Sequence, residues 1–258
     1  MKQKIKLTAS SLFVFLLSFS INAQDFSMFE KLEFSGESGG KMPYRLLKPL
    51  DYNPEKSYPL VIFLHGSGER GDDNDAQLKN GMQPFLDETN RDKYPAFVLA
   101  PQCPEGMTWA KTAEPDDIVF TFTEEPTEPM KLLLEIIAQV QHDFQIDDRR
   151  LYITGLSMGG YGTYDLLTRR PDMFAAAIVV CGAGDVRKVD RFKDVPLWIF
   201  HGEEDDAVPS DLSKVMVNAL TSVGAKPKYT LYPEVGHNSW DLAYNEEKLF
   251  SWLFKKKK

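Results

Sequence analysis

The sequence predicts an α/β fold: a single-domain, mainly parallel sheet with helices on both faces. Short continuous apolar runs alternate with segments of helical periodicity, the pattern of strands buried on both sides and joined by crossover helices. The pentapeptide Gly155-Leu156-Ser157-Met158-Gly159 lies between a β-branched run, Arg150 to Thr154, and a helical segment ending before Pro171. The third observation is positional. The loops leaving the expected strands begin His65-Gly66, Pro101-Gln102, Gly155-Leu156-Ser157, Cys181-Gly182, His201-Gly202 and Pro233-Glu234. Parallel α/β sheets hold their ligands outside the carboxyl ends of the strands, and that is where these reactive side chains fall.

Taken in order, residues 1–23 read as a secretory signal peptide. Lys2, Lys4 and Lys6 give a basic start, Leu12 to Phe19 an apolar stretch too short to span a bilayer comfortably, and Ile21-Asn22-Ala23 a small-residue end. Residues 24–258 are then one domain, secreted or periplasmic. Removal of three lysines takes the formal charge from −8 to −11. Such an acidic chain argues against nucleic-acid partners and against stable membrane insertion after signal cleavage. Cys103 and Cys181 would meet an oxidising compartment, and their spacing leaves open whether they pair.

Phe29 to Ser35 and Pro43 to Pro49 are expected as an antiparallel pair at the N-terminal edge of the sheet. The strands that follow are 58–64, 96–100, 150–154, 175–180, 196–200 and 228–232. Helices are expected at 130–144, 158–169, 210–223 and 245–254, the first from the apolar stripe Leu133, Leu134, Ile137 and Val140. Only fourteen residues separate Cys181 from Pro196, so no cap domain fits there; the 102–128 segment is long enough to form a wall.

Strand, sharp turn and helix around Gly-x-Ser-x-Gly expose a serine hydroxyl at the carboxyl edge of a sheet. Ser157 is the candidate nucleophile, and serine near neutral pH needs a base. Of the four histidines, His142 lies within a helix, while His65 and His201 end strands and brace loops. His237 follows the last strand in Gly236-His237-Asn238, free to reach over Ser157, and is the candidate base. The run Glu203-Glu204-Asp205-Asp206 offers an orienting carboxylate, and position alone leaves Asp205 and Asp206 open. Oxyanion donors are expected from the backbone of Met158, directly after the nucleophile, and of Ser67, in the loop after strand 58–64. That loop also matches a dinucleotide fingerprint, Gly66-x-Gly68-x-x-Gly71. However, Asp72-Asp73-Asn74-Asp75 follows where a phosphate-binding helix should open, which excludes a nucleotide. No cofactor or metal is expected.

The segments 64–71 (Leu-His-Gly-Ser-Gly-Glu-Arg-Gly), 100–104 (Ala-Pro-Gln-Cys-Pro) and 155–160 resemble the α/β-hydrolase superfamily, as do His201-Gly202-x-x-Asp205-x-x-Val208-Pro209 and Gly236-His237. The resemblance covers about residues 42 to 254 and is to the phospholipase/carboxylesterase or "predicted peptidase" branch, near feruloyl and acetylxylan esterases. It implies Asp205 rather than Asp206 as the acid, a structural role for His65, and the Ser67 amide in an oxyanion hole. It also implies Gln102 and Trp109 as substrate-side residues, although a core-capping indole is the alternative for Trp109. The expected activity is hydrolysis of carboxylic esters through Ser157, His237 and Asp205. Small or polysaccharide-borne esters, with short acyl or feruloyl groups, are the expected substrates. A serine peptidase with the same residues, or a non-catalytic glycan-binding fold, are the alternatives.

Overall fold

A computed structural model describes residues 26–112 and 121–258, so the expected signal peptide lies outside the described residues. Eight strands form one sheet in the order β1-β2-β4-β3-β5-β6-β7-β8. They are β1 (Phe29–Ser35), β2 (Lys41–Leu47), β3 (Tyr58–Leu64), β4 (Phe97–Pro101), β5 (Ile146–Leu156), β6 (Ala176–Val180), β7 (Leu197–Gly202) and β8 (Lys228–Tyr232). β2 runs antiparallel to both β1 and β4, and every other pairing is parallel. The expected antiparallel pair therefore caps one edge of a parallel sheet.

Two apolar layers explain why the central strands read as unbroken apolar runs. On β3, Leu60, Ile62 and Leu64 enter one core and Val61 and Phe63 the other. On β7 the same alternation sends Leu197 and Ile199 one way, Trp198 and Phe200 the other. Three helices cover the first face: α3 (Glu128–Asp143), α4 (Met158–Arg169) and α5 (Asp211–Ser222). α1 (Gln83–Leu86), α2 (Glu88–Lys93), α6 (Trp240–Ala243) and α7 (Leu249–Phe254) are short, and the buried apolar residues of α1, α6 and α7 join the second core. Among the described residues no helix is long and apolar enough to cross a membrane.

Element boundaries differ from the expectation where local chemistry intervenes. α3 begins earlier, at Glu128, because the Thr127 hydroxyl caps it by accepting from the Met130 N–H at 3.2 Å, with Pro129 in the first turn. The helix expected over 245–254 is confined to 249–254, with α6 standing separately before it. The break at 244–248 lets Tyr244 and Phe250 both face the second core; the Tyr244 hydroxyl meets Thr154 Oγ1 at 2.9 Å.

Candidate active site

β5 ends in a turn with little steric freedom. Ser157 has φ 51° and ψ −119°, a backbone conformation that costs a non-glycine residue about 1–3 kcal/mol. Its N–H donates to Val180 O at 3.0 Å, which ties the turn to β6, and its carbonyl accepts from Gly160 N–H at 2.8 Å as α4 begins. The flanking glycines permit this geometry. A Cβ on Gly155 would lie 2.2 Å from Gly159 O, and one on Gly159 would lie 1.9 Å from Leu64 O. Those contacts press β3, β5 and α4 together and leave the serine at their junction.

His237 arrives from the loop after β8. Its Nε2 accepts from the Ser157 hydroxyl at 2.9 Å, and its Nδ1–H donates to Asp205 Oδ2 at 2.8 Å. Asp205 leaves β7 with its carboxylate fully buried. The other oxygen, Oδ1, accepts from the N–H groups of Ala207 and Val208 at 3.0 and 2.8 Å. Asp206 is exposed, so the choice left open by position is made by the loop backbone. Gly202 permits the approach of the two loops: a Cβ there would lie 2.3 Å from both Val235 O and Gly236 O, and Glu204 N–H donates to Val235 O at 2.9 Å.

His201 is a brace, buried and in contact with both sides of the acid loop. It bonds Ser213 Oγ at 2.7 Å and Val208 O at 2.8 Å, with Asp205 Oδ2 3.2 Å away. Burial lowers its pKa, which favours the neutral ring despite the neighbouring carboxylate.

The turn 67–69 follows β3 and abuts the serine, since a Cβ on Gly66 would lie 3.6 Å from Ser157 Cβ. Ser67 and Met158 each open a helical turn. The first N–H groups of such turns have no partner within the turn, so both amides are available to a ligand oxygen. His65 holds this turn. Its Nε2 accepts from Cys103 N–H at 2.9 Å, which leaves Nδ1 protonated and donating to Gly66 O at 2.6 Å.

Burial lowers the His65 pKa from 6.5 to about 4. A neutral buried imidazole stabilises the fold fully above pH 6.5 and loses that contribution as pH falls from 6.5 toward 4. At 1.36 kcal/mol per unit the loss amounts to roughly 3 kcal/mol. Urea unfolding of His65→Gln at pH 6.5 and pH 4 is therefore expected to lose about 3 kcal/mol less between the two than the unsubstituted chain. Parallel losses would contradict the assignment.

The structure corrects two expectations. Gln102 and Trp109 are both 0 % exposed and reach no open surface. The Gln102 amide donates to Glu69 O and Asp73 Oδ1 and accepts from Asn74 N–H, clamping the 69–74 loop. The Trp109 indole donates to His65 O at 3.1 Å and packs on α4, where a Cβ on Gly162 would lie 2.5 Å from Trp109 Cβ. Each supports the loop that carries Ser67 rather than a ligand. Cys103 and Cys181 are both free thiols.

Two neighbours of His237 carry no motif in the sequence. Trp240 stands edge-on to its ring, with centroids 5.3 Å apart. Cys181, at φ 41°, offers a sulfur that lies with Asp205 and His237 atoms inside a 4.8 Å cluster. That set suits a metal poorly. The Asp205 and His237 atoms bond each other, and burial pushes the Cys181 thiol up to about 12, keeping it protonated.

Against known proteins, residues 127–199 match the prolyl oligopeptidase family. A probable feruloyl esterase C from Aspergillus niger is 27 % identical over 201 residues, covering 76 % of this chain and 67 % of that protein. A bifunctional acetylxylan esterase/xylanase from Neocallimastix patriciarum is 25 % identical over 176 residues, 68 % of this chain and 23 % of its own length. Among solved structures, a thermostable esterase superposes with a TM-score of 0.81 at 40 % identity, over 90 % of this chain and 64 % of that one.

Proposed function

We propose that this chain, an α/β-hydrolase near the feruloyl esterases, hydrolyses carboxylic esters through an acyl-enzyme on Ser157. The observation that carries the reading is the continuous hydrogen-bond chain from the Ser157 hydroxyl through His237 to the buried Asp205 carboxylate. In the first half-reaction the Ser157 oxygen attacks the ester carbonyl and its proton passes to His237 Nε2. The imidazolium that forms is stabilised by Asp205. The carbonyl oxygen becomes an oxyanion facing the amides of Ser67 and Met158, where the loss of one donor typically costs about 3 kcal/mol of barrier. The tetrahedral species collapses, the C–O bond to the alcohol breaks, and His237 returns the proton to the departing oxygen. Water then repeats the sequence on the acyl-serine and releases the acid.

The proposed substrates are short acyl or feruloyl esters carried by plant polysaccharide, after the named activities of the fungal relatives. The signal-peptide pattern of residues 1–23 supports secretion. A second reading, peptidase activity with the same residues, has the prolyl oligopeptidase match behind it.

A substrate panel separates the two. Methyl ferulate, p-nitrophenyl acetate and acetylated xylan oligosaccharides test the ester reading, and aminoacyl p-nitroanilides the peptidase. Turnover confined to the anilides would overturn the ester assignment.

A further inference from the structure

The amino edge of the sheet, opposite Ser157, holds a cleft of ≈ 500 Å³. It opens where β3 and β4 begin, beside Tyr58, Pro59 and Pro95, and is closed by the end of α7. A seven-residue strand such as β3 spans about 20 Å, so the cleft and the serine face opposite ends of the molecule.

Its composition departs from that of the chain. The formal charge of the whole sequence is −8, yet every ionisable lining residue apart from Tyr58 and Tyr94 is a cation, namely Lys56, Lys93, Arg150 and Lys255. Arg150 is engaged with Asp147 at 2.8 Å. Lys56, Lys93 and Lys255 form no ion pair among the described residues. Between these cations the wall is aromatic: Tyr94 and Phe254 stack with ring centroids 5.2 Å apart at 15°. Both rings are partly exposed.

We infer that this cleft binds acidic polysaccharide, taking a pyranose ring along the partly exposed edge of the Tyr94–Phe254 stack and its carboxylate between Lys56 and Lys255, beside Lys93. Lys93 Nζ lies 5.4 Å from the Tyr94 ring centroid, and a uronate supplies the negative charge that Lys56 and Lys255, without an ion pair among the described residues, lack. A concave site of this volume holds a few sugar units. The net negative charge of the chain opposes a flat anionic membrane or a nucleic acid, each of which presents charge across the whole surface. The inference rests on the proposed polysaccharide-borne substrate, for which the cleft would anchor the polymer while the opposite end meets its ester groups.

The test is retention of the protein in native gels containing a soluble uronate-bearing xylan, beside neutral arabinoxylan, polyglutamate and phosphatidylglycerol vesicles. Retention is expected on the uronate polymer alone, and it should fade as salt approaches 1 M, where the screening length is about 3 Å. The double variant Lys56→Glu/Lys255→Glu should bind that polymer at least tenfold more weakly, with unchanged turnover of methyl ferulate. Absence of retention, equal retention of the double variant, or equal binding of arabinoxylan, polyglutamate or vesicles would each overturn the inference. If instead no soluble ester is turned over while the uronate polymer is retained, the cleft stands and the ester reading falls.

Discussion

Replacing Ser157 by alanine is expected to lower kcat on any hydrolysed ester roughly 10⁴- to 10⁶-fold, the range seen when a serine nucleophile acting in concert with its base is removed. The rate that remains would come from ester binding and from the amides of Ser67 and Met158. The fold should persist. Alanine keeps the Cβ already accommodated at φ 51°, and the Ser157 backbone bonds to Val180 and Gly160 do not involve the hydroxyl. A melting temperature within about 2 °C of the unsubstituted chain would separate lost chemistry from lost structure. A rate unchanged within tenfold would remove Ser157 from the mechanism.

Gly159→Ala should act through structure instead. The new methyl would stand 1.9 Å from Leu64 O and 2.8 Å from His65 O, and both obstacles are backbone. Either the end of β3 or the start of α4 has to move, and no side-chain rotation relieves the overlap. A buried overlap of this kind costs about 1–3 kcal/mol, or roughly 6 °C in melting temperature for a chain of this size. The displaced loop carries Ser67, so kcat should fall by about 10²-fold beyond any loss of folded protein. Gly68→Ala is the matched control, because a Cβ there meets nothing within 4 Å and should leave both quantities unchanged. Equal melting temperatures for the two variants would refute the packing argument.

The legible parts of this protein are those governed by local rules. β3 and β6 announce themselves because burial on two faces demands apolar residues at every position. Gly155, Ser157 and Gly159 are legible because only that spacing supports a strained turn against a helix start. His237 could be singled out by its place in the last strand-to-helix loop, and the fold brings it to Ser157. Position alone leaves Asp205 and Asp206 open and only the resemblance of the His201-Gly202-x-x-Asp205 motif implies Asp205; in the structure a pair of loop amides holds Asp205 Oδ1 and turns its carboxylate inward. Gln102 and Trp109 sit in the right segment, but their side chains point into the loop scaffold because Glu69 O, Asp73 and His65 O need donors there. Gly202 belongs to the His201-Gly202-x-x-Asp205 motif and Cys181 to none, but what each does lies in close approaches between segments far apart in sequence. The basic cleft is likewise hard to see along the chain: Lys56 and Lys93 stand singly, Arg150 lies in the pair Arg149-Arg150 and Lys255 opens the run Lys255 to Lys258, and only the sheet gathers them.

An acyl-enzyme on Ser157 is a covalent species that mass spectrometry detects. The protein is mixed with p-nitrophenyl acetate or methyl ferulate, quenched in acid during turnover, and weighed intact before proteolysis. A fraction of the protein is expected to be heavier by one acyl group, located on the peptide that contains Ser157 and absent from Ser157→Ala. Ester turnover accompanied by an acyl group on another residue, with Ser157 unmodified, would contradict it.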